Sequence, residues 1–282
     1  MSSKPAPKAM GPTNLVMSHF TLERTHPIAD RVAAAAGAGF DGIGLYIGEY
    51  ARLKSEGFAP HGLRDLLAEH DIVLAEIEVV RGWAGTAEAK ATNERSEAIA
   101  WEMADEFDCR YLQAIGPSEG TLSDAGREFG ALCDRAADHG LVVGIEFLPF
   151  TNIVTAADAL AIVEEADRAN GGICVDIWHH TRGANDLSLI EAIPADKVLG
   201  IQMNDGPLVP DDPDYYTDCL HNRVPPGDGE FDVDGFVRLL LAKGVTVPWS
   251  LEVCQDSAWG RPGLEHATRC AEGMRAALAR CK

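Results

Sequence analysis

Four apolar runs in this sequence stop at an oxygen-bearing side chain. Val142 onward ends in Glu146, Ile173 onward in Asp176, Leu199 onward in Gln202 and Trp249 onward in Glu252. A charge at the end of an apolar strand is costly to bury without a partner. One such residue would fit a local ion pair or a helix cap. Four at matching positions point to one shared site. Three carboxylates and an amide are hard oxygen donors, suited to manganese, magnesium or a similar divalent cation. Three acids around a divalent ion leave a net charge of about −1, so the ion relieves the repulsion among them.

The elements that must position these residues follow one rhythm. Strands are expected at Leu15–Phe20, Phe40–Tyr46, Ile72–Val80, Arg110–Ile115, Leu141–Phe147, Gly172–Asp176, Val198–Met203 and Val247–Val253. Helices are expected at Ile28–Ala38, Pro60–His70, Ala87–Phe107, Leu122–His139, from Thr155 to about Ala169, Leu187–Ile193, Val233–Lys243 and Leu264–Arg280. Gly39, Gly140 and Gly244 supply stop signals, and Thr155 with Asp158 forms a loose capping box. Continuous alternation implies parallel strands with crossover helices. Eight units favour a single (β/α)8 TIM barrel spanning 14–282, preceded by a flexible tail over 1–13. No Gly-x-Gly-x-x-Gly follows the first strand, which weighs against a dinucleotide-binding sheet. The stretch Pro207 to Asp232, with its acidic run, prolines and Tyr215–Tyr216, is too long for a turn and is expected to be a functional loop or lid.

Composition narrows the function. The chain has 282 residues, 46% hydrophobic and 24% charged, enough for a sizeable core. Its net charge of −20 opposes binding to nucleic acid or an anionic membrane. Seven cysteines, an odd number with no Cys-x-x-Cys pair, fit free thiols in a reducing compartment. The N-terminal segment lacks the apolar core of a signal peptide, and no stretch reaches membrane-span length. A soluble cytoplasmic protein is the expectation.

The strand ends also carry a family resemblance. Gly-Ile-Glu146-Phe, Val-Asp176-Ile-Trp-His179, Gln202-Met-Asn-Asp205, the segment Arg223 to Phe231 and Leu-Glu252-Val together resemble the xylose isomerase-like TIM barrel superfamily. That group includes sugar phosphate isomerases and epimerases, ketose 3-epimerases, inosose dehydratases and endonuclease IV-type enzymes. The resemblance covers the chain from about Asn14. It implies metal ligands at Glu146, Asp176, Gln202 and Glu252, with Gln202 standing where the ketose 3-epimerase pattern has His. It implies a divalent cofactor, Mn2+ first, with Mg2+, Co2+ or Zn2+ as alternatives. His179 and Arg223 match substrate-facing positions, His221 is near enough to share that role, and Glu78 could complete the far side of the pocket.

The chemistry implied is proton transfer next to a carbonyl, with Glu146 and Glu252 as the acid/base pair. The expected substrate is a sugar or keto-polyol. The expected reaction is isomerisation or epimerisation; dehydration of a cyclic keto-polyol is the alternative, and a metal-free binding barrel a further one. An endonuclease reading is opposed by the net charge and the few histidines at strand ends. Family members are often homodimers or homotetramers.

Overall fold

The computed structural model describes residues 10–282. Eight parallel strands close into a barrel in chain order, each paired with its sequence neighbours and β8 with β1. The strands are β1 (Leu15–Met17), β2 (Gly42–Tyr46), β3 (Val73–Arg81), β4 (Tyr111–Ile115), β5 (Val142–Glu146), β6 (Gly171–Asp176), β7 (Val198–Met203) and β8 (Trp249–Leu251). The helices are α1 (Ile28–Ala38), α2 (Ile47–Ser55), α3 (Pro60–Glu69), α4 (Ala87–Phe107), α5 (Leu122–Ala137), α6 (Ala156–Ala166), α7 (Ile177–Arg182), α8 (Leu187–Glu191), α9 (Tyr215–His221), α10 (Val233–Lys243) and α11 (Gly263–Arg280).

The single (β/α)8 barrel expected from the strand pattern is therefore the fold. Several boundaries differ. β1 and β8 have three residues each. Three helices are not among those expected: α2, α7, and α9 within the stretch Pro207 to Asp232. α2 follows β2 without a break, and α7 starts at the residue after Asp176. Asp176 caps α7 itself, its Oδ1 accepting from Trp178 N at 2.8 Å, so one side chain ends a strand and opens a helix. The Thr155–Asp158 capping box is present, with Asp158 Oδ2 accepting from Thr155 N at 2.8 Å. Gly39 and Gly244 end α1 and α10 at φ 77° and 75°, in the left-handed region that glycine adopts without a Cβ clash.

Residues 1–9 of the expected tail lie outside the described residues. Pro12 is held against β8, its carbonyl accepting from Trp249 Nε1 at 3.0 Å. All seven cysteines are free thiols. Among the described residues, no helix is long and apolar enough to cross a membrane.

The register sets up the site. Glu146 pairs with Cys174, Asp176 with Gln202, and Gln202 with Ser250. Beneath this layer the barrel interior is closed by Tyr111. Its ring fits because β5 and β7 offer Gly144 and Gly200 there; a Cβ at either would collide with the phenol oxygen. A cavity of about 710 Å³ opens at the opposite, N-terminal end, lined by Leu67, Leu74, Leu199 and Pro248 among others.

Candidate active site

At the C-terminal mouth the strand-end residues form one connected web. Glu146 is buried at the end of β5. Its Oε2 accepts from Gln113 Nε2 at 2.7 Å. Its Oε1 faces His179 Nε2 at 3.3 Å and accepts no hydrogen bond. His179 lies on α7, one turn after Asp176, so its Nε2 also approaches Asp176 Oδ2, at 3.5 Å. Asp176 Oδ1 is taken by Trp178 N and by Asn204 Nδ2 at 2.9 Å. Gln202 Oε1 lies 3.4 Å from Gln113 Nε2, so one amide on β4 ties Glu146 to Gln202.

Arg223 completes the web. It is 2% exposed, and its Nη1 donates to Asp176 Oδ2 at 2.8 Å and to Glu252 Oε2 at 2.9 Å. Nε donates to the Cys219 carbonyl at 2.9 Å, and the ring of Trp178 lies 5.4 Å from the guanidinium carbon. A planar, always-charged side chain suits this buried position better than lysine would. Burial pushes the Glu252 carboxyl up to about 7, with Arg223 working against that rise and the charges of Glu146 and Asp176 adding to it.

Six of the eight sequence-predicted residues thus converge: Glu146, Asp176, Gln202, Glu252, His179 and Arg223. The other two have partners elsewhere. Glu78 is fully buried on β3, its Oε2 accepting from Ser18 Oγ and its Oε1 from His19 N, both at 3.0 Å. His221, at the end of α9, pairs with Asp256 Oδ1 at 2.7 Å and packs edge-on against Trp259. Trp83 is buried against Phe129 and donates to the Ile115 carbonyl, while Trp178 packs on Phe231 beside Arg223. Asp205 does not point into the web. It orders the following turn by accepting from Gly227 N and Phe231 N at 2.9 Å.

Sequence reasoning missed Gln113 and Asn204. Gln113 is the one polar residue in the run Tyr111–Ile115, a signal that an apolar strand should not bury an amide without a partner. Asn204 follows the end of β7 directly and lacked any such contrast.

The donor set fits a divalent cation. Glu146 Oε1 is a buried carboxylate oxygen without a hydrogen bond, and such an atom is expensive unless a cation serves it. Ligand atoms of Glu146, Asp176 and His179 lie within 4.8 Å of one another. Gln202 and Glu252 supply further oxygens on the adjoining strands.

Comparison with known proteins places this geometry in a family. The chain is 28% identical over 268 residues to a 3-dehydroshikimate dehydratase of Pseudomonas putida, across 92% of this chain and 40% of that protein. It is 31% identical over 125 residues to an inosose isomerase of Halalkalibacterium halodurans, across 43% of each. It spans about two fifths of the length of these curated relatives. A solved structure described as IOLI protein with a bound zinc atom superposes with a TM-score of 0.86 at 16% identity, over 95% of this chain and 99% of that one. The profile described as xylose isomerase-like TIM barrel matches residues 32–278. With the closed eight-stranded barrel and the strand-end acids, that match over most of its length makes this chain a member of the xylose isomerase-like TIM barrel family.

Proposed function

We propose that this chain is a metal-dependent enzyme that removes a proton next to a carbonyl of a small ring-shaped keto compound and then eliminates water. The web joining Glu146, His179, Asp176, Arg223 and Glu252 carries this reading. Glu146, Asp176, Gln202 and Glu252 would hold the divalent ion. When bound, such an ion supplies Lewis-acid polarisation of the substrate carbonyl.

The chain's own residues do the rest. Glu252 takes the proton from the carbon beside the carbonyl, as a positioned carboxylate at the mouth can. It then returns the proton to the hydroxyl leaving from the next carbon, so water departs and Glu252 ends as it began. His179 Nε2–H donates to the substrate oxygen on which negative charge develops. Arg223 holds Glu252 and Asp176 in place. Burial of all these groups keeps bulk water from competing.

Water loss is preferred over isomerisation because the dehydratase relative aligns over 92% of this chain and the isomerase relative over 43%. In the isomerase or epimerase alternative, Glu146 delivers the proton to the other face or the neighbouring carbon. Incubation with 3-dehydroshikimate and a divalent ion, followed by product analysis in deuterated solvent, separates the two. Dehydration gives a product lighter by one water. Recovery of substrate-mass product carrying carbon-bound deuterium would replace this reading with the isomerase one.

A further inference from the structure

His179 has a second contact that the reaction above does not use. Its Nδ1 lies 2.9 Å from the hydroxyl of Tyr215, and the two rings stack at 6.1 Å and 15°. Phe150 packs against both, with ring centres 6.3 Å from His179 and 5.5 Å from Tyr215. Tyr215 opens α9, inside the long segment between β7 and α10. That helix is fastened to α7, the helix bearing His179, by an Arg182 Nε to Asp218 Oδ2 ion pair of 3.0 Å. Arg182 also stacks 4.6 Å over Trp178. Asp218 Oδ1 accepts from Asp211 N and Asn222 Nδ2, both at 3.2 Å. The phenol is therefore carried to the imidazole on a braced element.

The protons on this chain of groups can be assigned. Nε2 faces two carboxylate oxygens, Glu146 Oε1 and Asp176 Oδ2, at 3.3 and 3.5 Å. Both are acceptors, so a proton belongs on Nε2. In a neutral imidazole, Nδ1 is then a lone pair and needs a donor. The Tyr215 hydroxyl is that donor, and burial holds its phenol proton far more firmly than usual.

We propose that Tyr215 is a positioning residue that fixes His179 as the Nε2–H tautomer and aims that N–H into the mouth of the barrel. The tautomer assignment goes with the reading above that leaves His179 outside the metal's ligand set, the ion being held by Glu146, Asp176, Gln202 and Glu252. Its catalytic consequence rests on the reading of His179 as hydrogen-bond donor to the substrate. Tyr216, although adjacent, is half-exposed and packs edge-on against Phe150, so it takes no part in fixing the imidazole.

The test is NMR of the full chain with 15N-labelled histidine, the His179 signals being identified by their loss in His179→Asn. The wild-type protein should show the Nε2–H pattern of shifts and couplings for His179. Tyr215→Phe, which keeps the ring and removes the donor, should give a mixture of tautomers. Its kcat should fall about 10-fold or more, as a misaimed catalytic group does, with KM within about twofold and the melting temperature close to wild type. Tyr216→Phe should change neither spectrum nor kcat. An Nδ1–H tautomer in the wild type, or an unchanged His179 spectrum in Tyr215→Phe, overturns the proposal. The wild-type spectrum alone decides the first point if the variant misfolds. Full activity in His179→Asn would instead sink the catalytic reading of His179 and leave the tautomer assignment standing.

Discussion

The two sides of the barrel interior both bury carboxylates, and they solve the problem in different ways. On the β5–β8 side, Asp176 and Glu252 share the guanidinium of Arg223, and Glu146 faces His179. On the β1–β4 side, the hydrogen-bond donors to Glu76 and Glu78 among the described residues are neutral. Ser250 Oγ donates to Glu76 Oε2 at 2.8 Å, and Ser18 Oγ and His19 N donate to Glu78. Burial pushes Glu76 up to about 8 and Glu78 well above the ordinary carboxyl range, with the charge of Glu252 adding to both. His19 cannot help as a cation, because burial and the nearby charges of Arg31 and Arg24 keep its imidazole neutral. A guanidinium within hydrogen-bond reach offsets part of the cost of burying a carboxylate; hydroxyl and amide donors offset less of it. The difference explains why buried acids on the two sides of one barrel need not share one role.

The same substitution made on both sides should break or sharpen that contrast. Glu252→Gln removes the proposed base and should lower turnover by about 10²–10⁴-fold. Glu78→Gln replaces a carboxyl whose proton affinity burial raises with a neutral isostere that still accepts from the His19 amide, and turnover should stay within about threefold. Steady-state rates on one substrate decide it, and equal losses in both variants would erase the distinction.

Arg223→Met tests the cation directly. It leaves Asp176 and Glu252 buried without their counter-charge, and breaking such a pair costs about 3–5 kcal/mol. Urea denaturation with chelator present should register that loss, and added manganese should recover part of it. An unchanged midpoint would mean that Arg223 does not neutralise these acids.

The uncharged side predicts a pH dependence. Between the ordinary carboxyl value of 4.5 and about 8, folded Glu76 keeps a proton that the unfolded chain has released. Stability from this group is therefore complete at low pH and lost as pH rises through that window. Glu76→Gln should flatten the decline by at most about 1 kcal/mol per pH unit. Denaturation midpoints measured from acid to mildly basic pH would reveal it; parallel curves would place the proton elsewhere.

The smallest effect concerns the scaffold. Thr155→Ala removes the cap of α6 and should cost about 1 kcal/mol, with a melting shift of about 2–4 °C and no change in rate. A loss of rate would show that α6 is tied to the mouth more closely than its cap contacts imply.

Much of this was readable along the chain. Apolar runs interrupted by Gly, Pro and capping residues reveal strands and helices, because those signals act over a few residues. The polar stops at Glu146, Asp176, Gln202 and Glu252 stand out for the same reason. α7 was not readable, since the helix is short and Asp176 serves two elements at once. Gln113, Asn204 and Tyr215 were not assigned their roles, because each acts on a partner from another strand or helix. For Glu78 the sequence offers only a place on the far side of the pocket; that Ser18 and His19 hold its carboxyl depends on segments about 60 residues away.

What the sequence determined by itself is the order of elements and the chemical type of donor at each strand end. Both follow from local propensity and from the contrast between an apolar run and its polar stop. Only the closed barrel decided which donors share a partner. Barrel closure and the β6–β7 register set Asp176 beside Gln202, and the return of the chain after α9 carries Arg223 between Asp176 and Glu252. Whether a buried acid is charged depends on such neighbours, and these neighbours come from segments distant in sequence.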